Sequence, residues 1–398
     1  MILLATTRGV PPWDSATASL AKSRLTLFSY LRSRKLLDEV ALLTLFRDYS
    51  LIRHVHEDAF GNEIYHGYFS WLKRMGVKAF FAYGVDPDVY ARRAQLVLSM
   101  CLNKVLHEVG SRLLLWCTGF TPIVPYSWIS VVYEHYALDE RYDLLKGFLM
   151  KRFTHVATSK TIASKLLRHG VKVLYLPPAV DSYYEDDHEG SRQDLEWFTP
   201  YVEGADIKLL YMGPLIPERF PVNLVIPLFL TLKRAQVNAI MVAITTVRNR
   251  LSLVYYKRLL QLIKRYELES NLILKLRVLR NDYIKRLVYE KFDVLLYIPV
   301  KPVEMSDPPL TVLEAMNSGL PPVISPIGDL AHLVKVYEAG AVTHLTPLNL
   351  YKSVRSIIEN QEVYSENARR LVREWYSIEA VAERLEALLD IIIEGRRL

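Results

Sequence analysis

Two cysteines in 398 residues, Cys101 and Cys117, are too few for a disulfide framework or a Cys-based zinc site. Both stand in apolar runs, where a thiol behaves as a small hydrophobe, and a reducing cytoplasm is the expected setting. Long apolar runs are missing as well: stretches such as Leu224 to Leu232 fall well short of the ~20 residues a membrane helix needs, and this one ends in Lys233-Arg234. An export signal is not expected, because Met1-Ile2-Leu3-Leu4-Ala5 is shorter than a signal peptide's apolar region and no basic segment precedes it. The chain has no fixed-period repeat and no low-complexity tract. It also lacks any His, Cys or carboxylate cluster with ligand spacing, so neither a catalytic metal nor a cofactor is expected. Any membrane contact is then peripheral, at the inner face of the cell membrane.

What is present fits a soluble folded chain, with 51% hydrophobic and 23% charged residues, and excludes disorder and collagen-like structure. The length predicts two domains of roughly 200 residues each. Fifty Lys and Arg against 43 Asp and Glu leave +7, which favours anionic partners such as nucleotides, phosphorylated substrates or acidic lipid. Nucleic acid is not expected, since the basic residues are spread among helices and form no recognised module.

Short Val/Ile/Leu-rich runs alternate with helical patterns throughout, as in parallel sheets with crossover helices, so the fold class is α/β. In the first half, strands are expected near Ile2–Ala5, Val40–Leu45, Leu113–Cys117, Ser130–Glu134, His155–Thr158 and Val171–Leu176, with helices over Ser15–Ser33 and Lys160–His169. Glu185, Asp186, Asp187, Glu189, Asp194 and Glu196, opposed only by Arg192, then mark a solvated acidic linker. A second series follows, with strands near Ile207–Met212, Ala239–Ile244, Leu272–Leu276, Val294–Ile298, Pro322–Ile324 and Ala341–His344. The expected organisation is a doubly wound domain over 1–182, a linker over 183–206 and a second doubly wound domain over 207–374. A helix over 375–398, apolar through Ala380, Val381, Leu385, Leu388 and Leu389, either packs on its own domain or crosses back to the first.

The most informative segment is Asp307-Pro308-Pro309-Leu310-Thr311-Val312-Leu313-Glu314-Ala315-Met316-Asn317-Ser318-Gly319-Leu320-Pro321. It reads as a loop, a short helix from Leu310, a C-terminal Gly319 and a Pro that opens the next strand. The helix N-terminus offers free amides, suited to a diphosphate. Glu314, one turn inside, is either a carboxylate for the vicinal hydroxyls of a ribose or an ordinary surface carboxylate.

This segment resembles the second half of a motif in the retaining, nucleotide-sugar-dependent glycosyltransferases of family 4, which have the two-domain GT-B fold. Their second domain carries a Glu, seven intervening residues and a second Glu followed by Ala-Met, a small residue and Gly, to which Glu314-Ala315-Met316-Asn317-Ser318-Gly319 is similar. Leu209-Leu210-Tyr211-Met212-Gly213 resembles the opening of that domain, with Arg219 in the place of a basic residue about six positions on. Leu176-Pro177-Pro178-Ala179-Val180-Asp181, preceded by Ala157-Thr158-Ser159, resembles the end of the first domain, and Val131-Val132-Tyr133-Glu134-His135 ends in the position of a His that faces the donor sugar. The matches lie in the expected order from about residue 130 onward; before that only the layout is similar, and the loop Thr7-Arg8-Gly9-Val10-Pro11-Pro12-Trp13-Asp14 has fewer glycines than the family's first loop.

The resemblance implies two Rossmann-like domains facing each other across a cleft, and transfer of a sugar with retention from a nucleoside-diphosphate sugar to a hydroxyl acceptor such as a glycan or lipid-linked glycan. Retaining members are thought to react at one face of the sugar, with the departing phosphate helping to deprotonate the acceptor. It further implies that Gly213, Arg219 and the Leu310 and Thr311 amides hold the diphosphate, Glu314 the ribose, and His135 with Asp307 or Glu304 the transferred sugar. A fixed guanidinium at Arg219 suits that role, because charge-assisted bonds to the diphosphate favour its departure.

Departures accompany the matches. Ser306, a donor-side position, stands where the family's first Glu belongs; Asp307 and Glu304 are the neighbouring acids. Pro308 and Pro309 replace residues that offer backbone amides to the sugar. Pro214 replaces the basic residue after Gly213, leaving Arg248 or Arg250 to compensate. A catalytically silent GT-B-like binding or scaffold subunit is the alternative these departures favour. Asp86-Pro87-Asp88 has the spacing of a metal-binding carboxylate pair but reads as a helix start, with Val89–Met100 following. Between Tyr65 and Phe81, aromatics mix with Lys73, Arg74 and Lys78, either as a segment lying on anionic membrane or as core aromatics beneath a charged face.

Overall fold

The computed structural model describes residues 2–8, 16–46, 73, 75–83, 113–118, 130–135, 154–168, 170, 172–180, 199–246, 250–276, 279, 282–301 and 307–394. The chain divides into one unit of Met1–Asp181 with Ser377–Leu398 and a second of Ser182–Tyr376. No helix among the described residues is long and apolar enough to cross a membrane.

The first unit contains β1 (Ile2–Arg8), α1 (Ala16–Ser33), β2 (Glu39–Phe46), β3 (Lys78–Tyr83), β4 (Leu113–Thr118), β5 (Ser130–His135), β6 (Thr154–Ala157), α2 (Lys160–Arg168) and β7 (Val173–Tyr175). Its strands form a parallel sheet in the order β3-β2-β1-β4-β5-β6-β7. Strand order reverses between β1 and β4, the arrangement of a doubly wound fold. β3 was not among the expected strands: Lys78–Phe81, part of the segment considered for membrane contact, pairs with β2 from Ala41↔Lys78 onward. Met75 and Val77 ahead of it are buried, and Lys78 pairs with Glu39 at 2.6 Å. Residues 65–72 and Arg74 of that segment lie outside the described residues, as do Cys101, the loop 9–15, Asp86-Pro87-Asp88 and Val89–Met100.

The second unit contains α3 (Thr199–Val202), β8 (Ile207–Pro214), α4 (Val222–Arg234), β9 (Ala239–Thr246), α5 (Arg250–Arg265), β10 (Leu272–Leu276), α6 (Asp282–Tyr289), β11 (Val294–Tyr297), α7 (Leu310–Asn317), β12 (Pro322–Ile324), α8 (Asp329–Tyr337), β13 (Ala341–Val342), α9 (Pro347–Glu359) and α10 (Gln361–Trp375). Its parallel sheet has the order β10-β9-β8-β11-β12-β13, reversing between β8 and β11. β8 and β11 read as almost continuous apolar runs because helices cover both faces of the sheet. Within the stretch expected as a linker, α3 is a single turn before β8, and residues 181–198 lie outside the described residues.

The last helix, α11 (Ile378–Glu394), belongs to the first unit. Ile378, Val381, Ala382, Leu385 and Leu389 join Leu25, Phe28 and Leu31 of α1 in one core. Val180 and Ser377 form a parallel bridge where the chain leaves and re-enters this unit. Below it, the fully buried Arg24 donates to the carbonyls of Leu176 and Pro177, each at 2.7 Å, and Ser23 Oγ donates to Ala179 O at 2.6 Å. These bonds satisfy carbonyls in a segment that has no strand partner to do so.

Candidate functional site

In an open parallel sheet, ligands bind beyond the carboxyl ends of the strands at the switch point. In the second unit that point lies between β8 and β11, and the loops after these strands are tied together by Val300 N–H donating to Glu218 O at 2.7 Å. The loop after β8 folds back on itself, with Arg219 N–H and Phe220 N–H both donating to Ile216 O. Tyr211 braces it from the strand: its hydroxyl donates to Pro214 O at 2.7 Å, and its ring meets Phe220 edge-on at 4.7 Å. Gly213 has φ +156°, a backbone conformation that strains a side chain, and a Cβ there would also press on the Tyr211 hydroxyl at 3.3 Å.

Arg219 is thereby held in the rim with its guanidinium buried. Its Nη2 donates to the Tyr297 hydroxyl at 3.0 Å, and its Cζ stands 5.4 Å from the Tyr297 ring centroid. Burial pushes the Tyr297 phenol above its usual pKa, the Arg219 cation and its hydrogen bond oppose that rise, and the Asp307 carboxylate adds to it. Arg219, Tyr297 and Asp307 are therefore electrostatic neighbours, brought from three separate loops or strand ends.

The expected short helix is α7. Pro308 and Pro309 precede it, so the Leu310 and Thr311 amides are the first it offers. It stops where expected: Gly319 has φ +84°, its N–H donates to Met316 O, and Leu320 N–H donates to Ala315 O, a Schellman closure. Asp307, ahead of the cis Asp307-Pro308 peptide, is buried, and its Oδ1 accepts the Asp329 N–H at 3.3 Å. Asp329 opens α8, whose N-cap is Gly328, a residue with no side chain to cap with; Asp307 supplies that acceptor from another loop. A Cβ on Gly328 would lie 2.5 Å from Asp307 Oδ1.

Glu314 faces α6. Lys285 Nζ lies 3.3 Å from each of its carboxylate oxygens, and the Tyr289 hydroxyl donates to Oε2 at 3.3 Å while standing 3.6 Å from Met212 Sδ in β8. The side chains of Lys285 and Glu314 keep 18% and 20% exposure, so the carboxylate is positioned yet still reachable.

Gly213, Arg219, Asp307, Leu310, Thr311 and Glu314 thus all belong to the carboxyl-end rim of the second sheet or to the helices that follow it. Glu304, Ser306 and Arg248 lie outside the described residues. Arg250 is exposed at the start of α5. His135 ends β5, in register with Ala157 of β6, at the carboxyl edge of the first sheet. Ser159 is buried, and its Oγ accepts the Ile162 N–H at 3.1 Å as a helix cap. Sequence reasoning missed Tyr297, Lys285 and Tyr289. Tyr297 had a signal, a polar-tipped residue closing an apolar strand at the switch point, whereas Lys285 and Tyr289 had none.

No protein-family model and no curated protein sequence matches this chain. Solved structures do match in fold. A glycosyltransferase from Rickettsia africae superposes with TM-score 0.70 at 11% identity, covering 98% of each chain. Sucrose-phosphate synthase from Thermosynechococcus elongatus gives 0.68 at 13% identity, covering 99% of each chain. Anabaena Alr3699/HepE, solved in complex with UDP-glucose, gives 0.66 at 14% identity, covering 98% of this chain and 99% of its own. The chain has the GT-B fold.

Proposed function

We propose that this protein is a glycosyltransferase that moves a sugar, with retention, from a nucleoside-diphosphate sugar to a hydroxyl of a lipid-linked or membrane-proximal glycan. The observation that carries the reading is Arg219, a buried guanidinium fixed by Tyr297 at the switch point of the second sheet, on the same rim as the α7 N-terminus. Fixed cations and amides stabilise charge that develops on a departing diphosphate, and they need no reorganisation as it forms. In this reading Arg219 and the Leu310 and Thr311 amides meet the phosphates without a metal ion. Glu314 accepts from the ribose hydroxyls, and His135 meets the sugar. The structural relatives include a protein solved with UDP-glucose, which makes a UDP-sugar the first donor to try. A cytoplasmic enzyme working at the inner face of the membrane is the setting this reading implies.

The test is calorimetric titration with UDP-, GDP- and ADP-sugars, followed by donor hydrolysis with and without glycan acceptors. Saturable binding of one donor and its turnover support the reading; a chain that binds none of them is not this enzyme. One observation favours a second reading, a catalytically silent GT-B binding subunit: the Asp307 carboxylate already serves the α8 amide. Donor binding without hydrolysis or transfer to any acceptor would select that alternative.

A further inference from the structure

Helix α5 has the sequence Arg250-Leu251-Ser252-Leu253-Val254-Tyr255-Tyr256-Lys257-Arg258-Leu259-Leu260-Gln261-Leu262-Ile263-Lys264-Arg265, with no acidic residue along its length. Ser252, Leu259 and Ile263 face the core of the second unit. Arg250, Lys257, Arg258, Lys264 and Arg265 all face solvent, and among the described residues none of them forms an ion pair. Val254, at 58% exposure, lies among these cations, and the edges of the same exposed surface carry Leu251 at 80% on one side and Leu260 at 41% and Leu253 at 40% on the other. Single exposed leucines are ordinary on protein surfaces, but several aliphatics among unopposed cations on one helix need a partner that satisfies both.

We infer that the outer face of α5 docks on an anionic lipid bilayer. The helix is about 24 Å long, enough to lie flat on the headgroup layer with its central cations meeting lipid phosphates and the aliphatics along its edges packing into the interface beside them. Charge complementarity selects this occupant: five cations without a carboxylate repel a basic protein face, and the aliphatics gain nothing from a nucleic-acid backbone. The face is rigidly mounted. Tyr255, on the inner side of α5, donates to Phe220 O at 2.5 Å and accepts the Val222 N–H at 3.2 Å, binding the helix to the loop that holds Arg219. The helix also follows β9, whose Thr245 is in register with Gly213, so its N-terminal end shares the rim with the candidate site. Docking through α5 brings that rim to the bilayer surface. This surface belongs to the second unit and is distinct from the 65–81 segment that the sequence offered for the same purpose.

The experiment is co-sedimentation of the full chain with vesicles of phosphatidylglycerol and phosphatidylcholine, compared with phosphatidylcholine alone, in the absence of donor and acceptor. Binding to the anionic vesicles only, weakened by added salt, is expected. Lys257→Gln with Arg258→Gln, and separately Leu251→Ser with Val254→Ser, each lower the affinity about tenfold or more while the thermal melt stays unchanged, because all four side chains lie on the solvent face. Equal binding to both vesicle types, no binding, or loss only on Trp71→Ser with the α5 variants intact would each overturn the proposal. Unchanged vesicle binding accompanied by α5-dependent self-association in sedimentation velocity would overturn it in favour of a second copy of the chain. Since no sugar enters the measurement, failure of the transferase reading leaves this result standing.

Discussion

Lys285 holds its ammonium equidistant from both carboxylate oxygens of Glu314, at 3.3 Å, across the gap between α6 and α7. A carboxylate pinned in this way keeps lone pairs for further donors while its rotamer is fixed. If Glu314 receives the ribose, Glu314→Ala weakens nucleotide binding by about tenfold or more, the loss expected for hydrogen bonds to a charged group. Lys285→Ala leaves the carboxylate in place, held only by the Tyr289 hydroxyl among the contacts described above, and produces a smaller loss. Calorimetry with the bound nucleotide measures both, and unchanged affinity in Glu314→Ala removes it from the site.

Arg219 and Tyr297 form the second test. Arg219→Lys retains the charge but loses the planar fork that bonds Tyr297 and, in the proposed reading, would bond the donor at the same time, so it is not a conservative change. Its expected effect is a fall in kcat of about 100-fold with a smaller change in KM, the pattern of an interaction strongest in the transition state. Tyr297→Phe keeps the ring beneath the guanidinium and removes only the hydroxyl, and a fall of several-fold is expected. A purely structural Arg219 would lower the melting temperature in both variants and leave the kinetics of the folded fraction unchanged.

The residues explain how much of this was readable in advance. Central strands such as β8 and β11 are buried on both faces and announce themselves as apolar runs, and their register brings Gly213 and Tyr297 to the rim. Edge strands were less legible. β7 and β13 end sheets, pair on one side only, and close after Val173–Tyr175 and Ala341–Val342, short of the expected Val171–Leu176 and Ala341–His344. β3, also an edge strand, hid behind its aromatics and lysine. The site followed the same division. Glu314 and Arg219 sit in local patterns, but their partners lie 29 and 78 residues away, and nothing in the intervening sequence marks the pairing.

Alkaline stability is a third prediction. Burial raises the phenols of Tyr297 and Tyr255 above the ordinary value of 10.0. Above that pH the unfolded chain releases protons that the folded one retains, so the unfolded state binds fewer and stability falls as pH rises. Below it the two states are alike in these groups and the contribution is fully present. The unfolding free energy obtained from urea titrations should therefore lose this contribution progressively as pH rises through the 10.0 reference, by at most about 1.4 kcal/mol per pH unit for each retained proton. Tyr297→Phe should flatten part of that slope; an identical slope in the variant would mean that Tyr297 titrates normally.

The first unit depends on its returning helix. Leu385 is fully buried against α1, so Leu385→Ala should cost about 2–5 kcal/mol. Arg24→Met strips the donors from the Leu176 and Pro177 carbonyls in an interior site, and about 3 kcal/mol is expected. The two changes act on one core through different contacts. Urea unfolding of the single and double variants measures each loss and any coupling between them.

Asp307 separates structure from chemistry most sharply. Its carboxylate caps α8 through the Asp329 amide, and the absence of a Cβ on Gly328 leaves it the room to do so. Asp307→Asn keeps an oxygen acceptor for that amide and loses only the charge, whereas Asp307→Ala loses both. If Asp307 serves α8 alone, the Ala variant is destabilised by about 1 kcal/mol and the Asn variant retains near-normal stability and turnover. If it also contacts the transferred sugar, the Asn variant stays folded and loses about 10- to 100-fold in kcat, because a neutral amide cannot match a carboxylate facing developing positive charge. Melting temperature and kcat measured on the same pair of variants decide between the two roles.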